Sequence, residues 1–260
     1  MTAGAFDLLD TGSCRASEHH PVRGSARRAR RCRALVGLNR HPEHGVVLWE
    51  AGYAPRILAV TARFPYRRSR LATPLLLDGR LPPLPSWPHG IAASEVRTIR
   101  SHRWPPRSSG GADRCPSRSM GGCRGLRRGV LPALLPSRAR RQPIACFEGP
   151  TLPGLGPPYT LLGDGRVRLV RLPGHRRGQL GALLRTIDGL LLLAADACWY
   201  SCSLREERLP HLTTNLFAAA ACCPRADRGA LHCARPALPI VPTHCPEAYQ
   251  RQFGRSAYLE

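Results

Sequence analysis

His175, Asp196 and His244 each stand just past the end of an apolar, strand-like run. The runs are RVRLVRLPGH (166–175), GLLLLAAD (189–196) and LPIVPTH (238–244). Strand ends that deliver imidazoles and a carboxylate to one sheet edge can build a metal site. Imidazole nitrogen and carboxylate oxygen suit zinc or a similar divalent ion, with ligand distances of about 2.0–2.2 Å. A carboxylate closing an otherwise apolar strand is costly to bury unpaired, which favours the metal reading for Asp196. Singly, His175 or His244 reads more readily as a satisfied turn histidine. The joint pattern makes the ligand reading the stronger one.

Turn chemistry indicates how these strands are connected. YTLL-GDG-RVRLVRL (159–172) reads as strand, turn and strand. LGALLRTI-DG-LLLLAAD (180–196) reads as a hairpin on an Asp-Gly turn, and LPIVP (238–242) as a last buried strand. Upstream, ALVGLNRHPEHGVVLWEAGY (34–53) reads as a hairpin with HPEHG at its turn, so His41 and His44 are expected to be turn residues rather than ligands. A short strand, Val96 to Ile99, runs up to His102. Residues 54–75 start helical and continue as loop, and the Ala-rich stretch 214–235 reads as helix. Residues 103–129 carry Gly, Pro, Ser and Arg with almost no apolar periodicity. They cannot bury enough apolar surface to offset their ordering entropy, so an irregular or disordered segment is expected. Hairpins followed by a helix and a further strand point to a layered α/β sandwich.

Composition bounds the function. With 260 residues, 43% of them hydrophobic, the chain can form one sizeable core, read as a single domain over 1–260. It has no apolar run of 18 or more residues and no basic-then-apolar leader at its start, so a cytoplasmic location is expected. The 11 cysteines are scattered without a CxxC pair and read as reduced thiols rather than a disulfide framework or zinc cluster. The net charge of +22 rests on arginine alone, since lysine is absent, and is concentrated before residue 146. One reading is a nucleic-acid partner. The other is coding bias in a GC-rich gene, favoured because the arginines are not interleaved with lysines and aromatic or polar groups as in a nucleic-acid surface.

Taken together, LPGHRRGQLGALL, LLLAADACW and IVPTHCPEA resemble the metallo-β-lactamase-fold hydrolases, in particular their lactonase-like branch. GVVLWEAGYAPR (45–56) is similar to that family's early strand and loop, ILFDTGYAPR. The resemblance spans most of 33–250. It implies an αββα sandwich and up to two zinc ions. His102 and His175 would ligate the first ion and His244 the second, with Asp196 bridging both and serving as the catalytic carboxylate. The implied reaction is hydrolysis of a small ester or lactone by a metal-held hydroxide. Some lactonases contact substrate through a tyrosine three residues after the bridging Asp; here Trp199 stands there, followed by Tyr200.

The chain departs from the family at one motif. Where H-x-H-x-D-H-x-G-G is expected, it reads SHRWPPRSSGG. His102 aligns with the first histidine, while Trp104, Pro106 and Arg107 fill the other ligand positions and cannot bind zinc. The resemblance therefore implies a hydrolase with an impaired metal site. One alternative is a non-catalytic copy, degraded by a frameshift. Back-translation of Arg107–Ala112 permits Asp-His-Arg-Ala-Gly-Leu one base later, close to the family's DHxGGL. The other alternative is an arginine-rich nucleic-acid-binding protein.

Overall fold

Apolar runs bounded by turn signals build two sheets. The computed structural model describes residues 5–17, 29–50, 56–62, 67, 75–76, 91, 95–100, 118–120, 147–152, 155–172, 179–186, 189–206 and 238–253. In the first sheet, β1 (Ala5–Ser17) and β2 (Ala29–His41) form a long antiparallel hairpin, and β3 (Gly45–Trp49) returns along β2. The β2–β3 turn falls on the expected HPEHG segment. A short helix, α1 (Arg56–Val60), lies in the stretch expected to start helical. β4 (Leu75–Leu76) pairs with β1, and β5 (Val96–Arg100) lies parallel to β3. β6 (Arg118–Met120) completes the order β4-β1-β2-β3-β5-β6.

β6 falls inside the segment expected to be irregular. It pairs in parallel with β5. An edge strand can be held by backbone hydrogen bonds to one neighbour and needs no apolar alternation of its own, which is why the sequence pattern does not announce it. The rest of 103–129, and the Ala-rich stretch read as helix, lie outside the described residues.

The second sheet matches the turn signals. β7 (Tyr159–Thr160) pairs with β8 (Val167–Arg171), which pairs with β9 (Leu180–Thr186), which pairs with β10 (Gly189–Ala195), all antiparallel. Gly189 has φ of 118°, the left-handed region that the Asp-Gly turn before β10 requires. β11 (Ile240–Pro242) adds in parallel to the far side of β10. The order is β11-β10-β9-β8-β7.

The sheets pack face to face. Phe6, Leu8, Val47 and Trp49 from the first interdigitate with Val167, Leu169, Leu184, Leu191 and Leu193 from the second. Alternate residues of the second sheet, Val170, Leu172, Leu183 and Leu192, form an outer core. That core includes Leu204 of α2 (Ser201–Arg205). On the outer side of the first sheet Leu38, Val46, Leu48 and Val96 are buried too. Both sheets are therefore apolar on both faces, as the inner layers of an α/β sandwich must be. The last helix, α3 (Pro246–Phe253), follows β11. Among the described residues, no helix is long and apolar enough to cross a membrane.

A polar clasp joins the sheets at the ends of β2 and β7. His41 is buried, and its Nδ1 accepts the backbone N–H groups of Glu43 and His44 at 3.2 and 3.1 Å. Its proton is therefore on Nε2, which donates to Asp164 Oδ2 at 2.6 Å. Asp164 sits in the expected Gly-Asp-Gly turn and also accepts the Arg166 N–H at 3.0 Å. Burial opposes its charge, but the Arg166 amide, the His41 hydrogen bond and the charge of Arg166 outweigh burial and lower its pKa. A lowered pKa gives stability that is present above the ordinary carboxylate value and is lost as the pH falls through the depressed one. Asp164→Asn is expected to cost about 1 kcal/mol at pH 7, and less at pH 3, in urea unfolding. An equal cost at both pH values would refute the clasp.

Candidate metal centre

Parallel pairing of β10 with β11 brings Asp196 to His244. Leu192 faces Ile240, Leu193 faces Val241, and a register shift then sets Ala195 opposite Pro242. Ala195 has φ of 51°. This is a costly backbone for a residue with a Cβ, and it redirects the chain just before Asp196. Glu50, directly after β3, is the other described non-glycine residue in the left-handed region, with φ of 74°, and it is buried. Strain is thus stored at the carboxyl ends of β3 and β10.

The result is a buried pair, Asp196 and His244 being 2% and 9% exposed, with His244 Nε2 3.1 Å from Asp196 Oδ1. The other ring nitrogen, Nδ1, is hydrogen-bonded to the Arg33 carbonyl of β2. A carbonyl oxygen only accepts, so Nδ1 carries a proton. A carboxylate oxygen also only accepts, so Nε2 must present either a second proton or a cation to Asp196. Without a metal, a proton between Nε2 and the Asp196 carboxyl fills that place. Burial opposes a charged His244, but the hydrogen bond and charge of Asp196, with smaller contributions from Cys14 and the Arg33 carbonyl, raise the His244 pKa.

The same donors suit a divalent ion. A zinc-binding histidine usually donates its free N–H to a backbone carbonyl, which fixes ring orientation and tautomer. The Arg33 carbonyl does this for His244. Trp199 packs edge-on against the His244 ring, with centroids 4.7 Å apart, and its indole N–H is buried with no hydrogen-bond partner among the described residues. Tyr200 is committed elsewhere, its hydroxyl lying 2.9 Å from Cys32 Sγ in the inter-sheet core. Of the two aromatic residues after Asp196, Trp199 is therefore the one at the pair.

The segment carrying His244 is well anchored. Cys245 Sγ accepts N–H groups from Ser201 and Ala248 at 3.3 and 3.4 Å, joining the starts of α2 and α3. Arg205 of α2 makes a two-pronged pair with Glu247 of α3 at 2.7 and 3.0 Å. This pair is solvent-exposed, so it contributes more to positioning than to stability.

Of the four residues singled out from the sequence, the structure brings Asp196 and His244 together. His102 and His175 lie outside the described residues. The strands beside them in sequence are informative: β8 ends and β9 begins at the end of the sheet where β10 delivers Asp196, with Leu172 N–H bonded to the Gln179 carbonyl at 3.0 Å. Among the described residues, no group of three or more His, Cys, Asp or Glu could hold a metal ion. The Asp196–His244 donor pair alone fits zinc chemistry but does not complete a site.

No protein-family model matches the chain, and no curated protein matches it in sequence. Solved structures do match. An N-acyl homoserine lactone hydrolase with its product, N-hexanoyl-L-homoserine, at the catalytic metal centre superposes with a TM-score of 0.75 at 14% identity, over 96% of this chain and 97% of that one. The chain has the metallo-β-lactamase fold. A B. thuringiensis protein variant with N-decanoyl-L-homoserine at its active site matches at TM-score 0.67 and 14% identity, over 96% of this chain and 97% of its own. A dizinc quorum-quenching lactonase matches at 0.61 and 12%, over 95% and 90%. In this metallo-β-lactamase fold the inner sheets are those described above, and Asp196 and His244 occupy adjacent strand ends of the second.

Proposed function

We propose that the chain is a metal-dependent hydrolase of a small ester or lactone, folded as one domain over 1–260 and working with an impaired metal site. One observation carries this reading. His244 points Nε2 at the Asp196 carboxylate while its Nδ1 proton is taken by the Arg33 carbonyl. That arrangement sets a proton or a cation between imidazole and carboxylate, and a divalent ion suits the place. The likeness to lactone hydrolases with a catalytic metal centre supports the same reading.

In this reading Asp196 and His244 would hold one zinc ion together with a third ligand from His175 or His102, which leaves one position open for water. When bound, the ion would polarise a carbonyl and acidify water, as zinc does in hydrolytic sites. The chain's own groups do the rest. The Arg33 carbonyl fixes the His244 tautomer, and Trp199 keeps water from one side of the ring. The unpartnered Trp199 N–H is a donor only, so a substrate oxygen is its natural partner. Trp104, Pro106 and Arg107 stand where further ligands would be needed for a second ion, so slow turnover with one ion is expected.

The test is hydrolysis of a panel of short acyl lactones and aryl esters by the full-length protein. Turnover is expected that a chelator removes, added zinc restores, and His244→Ala abolishes. Activity that survives chelation would sink the reading, as would a zinc-supplemented protein inert toward the whole panel.

A further inference from the structure

Two cysteines with no part in the proposed reaction face each other beside the site. In the β1–β2 register Cys14 is directly opposite Cys32, flanked by Ser13 opposite Arg33 and Arg15 opposite Arg31. Directly opposed residues of antiparallel strands have Cα atoms about 4.5–5.5 Å apart. A disulfide accepts Cα separations of about 4.4–6.8 Å, so the register alone puts the two thiols within bonding reach. Both side chains point to the same face, since both belong to the inter-sheet core, at 3% and 0% exposure. Neither is in a disulfide in this structure.

We propose that Cys14 and Cys32 form a redox-active dithiol pair that closes to a cross-strand disulfide when it meets a small-molecule disulfide of the glutathione type. The two cysteine sulfurs lose two electrons and two protons and form one S–S bond. The oxidant's S–S bond breaks, and its two sulfurs take up those electrons and protons as thiols. A thiolate of the pair first attacks the oxidant to give a mixed disulfide, which the facing cysteine resolves. The facing position of the resolving thiol favours closure over a lasting mixed disulfide.

The other described buried cysteines have different partners. Cys198 Sγ donates to the Tyr200 carbonyl at 3.1 Å, and Cys245 receives the Ser201 and Ala248 amides. Cys32 is also tied to the loop that starts at Asp196, because its sulfur is 2.9 Å from the hydroxyl of Tyr200. Closing the bond removes the thiol proton from that contact and leaves Tyr200 as the only donor.

The experiment exposes the full-length protein to oxidised glutathione, caps remaining thiols after unfolding, and maps linked peptides by mass spectrometry. The expected result is a peptide containing Cys14 joined to one containing Cys32. With it should come a rise in the unfolding midpoint that dithiothreitol reverses and that a Cys14→Ser, Cys32→Ser double variant does not show. Finding both cysteines capped would overturn the proposal, as would finding either joined to a different cysteine or left as a stable glutathione adduct.

Discussion

Asp196→Ala is expected to abolish tight divalent-metal binding and to lower the stability of the metal-free protein by about 3 kcal/mol, near the low end for breaking a buried ion pair. The structural reason is the double hydrogen-bond demand on His244. With the carboxylate gone, Nδ1 still donates to the Arg33 carbonyl, but Nε2 loses its Asp196 partner. His244 must then shed its second proton or stay charged and buried, and shedding it limits the loss. Urea unfolding with a chelator present measures the stability term, and zinc titration the binding term. A variant that binds zinc like the wild type would remove Asp196 from the site. One that is equally stable would mean the pair contributes nothing to the fold.

Gly181→Val is expected to cost about 3 kcal/mol or more, the upper range for forcing extra atoms into a packed core. Gly181 lies in β9 opposite Val170. A Cβ there would fall 2.5 Å from Leu172 Cδ1 and 3.0 Å from the Leu193 carbonyl oxygen. Leu172 is fully enclosed and the carbonyl is backbone, so neither yields easily. The displaced strand would be β10, which ends in the Asp196 turn, so metal affinity should fall together with stability. A loss below about 0.5 kcal/mol in urea unfolding would show that β9 and β10 are less closely packed than described.

The second sheet was legible because its signals are local and strong. Alternation in RVRLVRL, the Asp-Gly turn, the unbroken GLLLLAA run and the short LPIVP run define its strands, and the residues just past the last two runs, Asp196 and His244, meet. The long hairpin of β1 with the start of β2 was not legible. Its register shifts between Asp10 and Ser13, which breaks the period-two pattern, and arginines crowd β2 on either side of Cys32. The Arg33 carbonyl that orients His244 carries no sequence signal at all, because any residue supplies one. His41 and Asp164 are far apart in sequence, and the clasp between them depends on how the two sheets face each other. His41 was expected at a turn, and it does end β2 at the turn; its burial against Asp164 is what the sequence could not show.

The most direct test of the account is the zinc content of the purified full-length protein beside that of His244→Ala. A mononuclear site predicts about one equivalent in the wild type, removable by a chelator, and none in the variant. A wild type that holds no zinc after loading, or a variant that holds as much, would contradict the metal centre at Asp196 and His244. Two equivalents in the wild type would contradict its impairment.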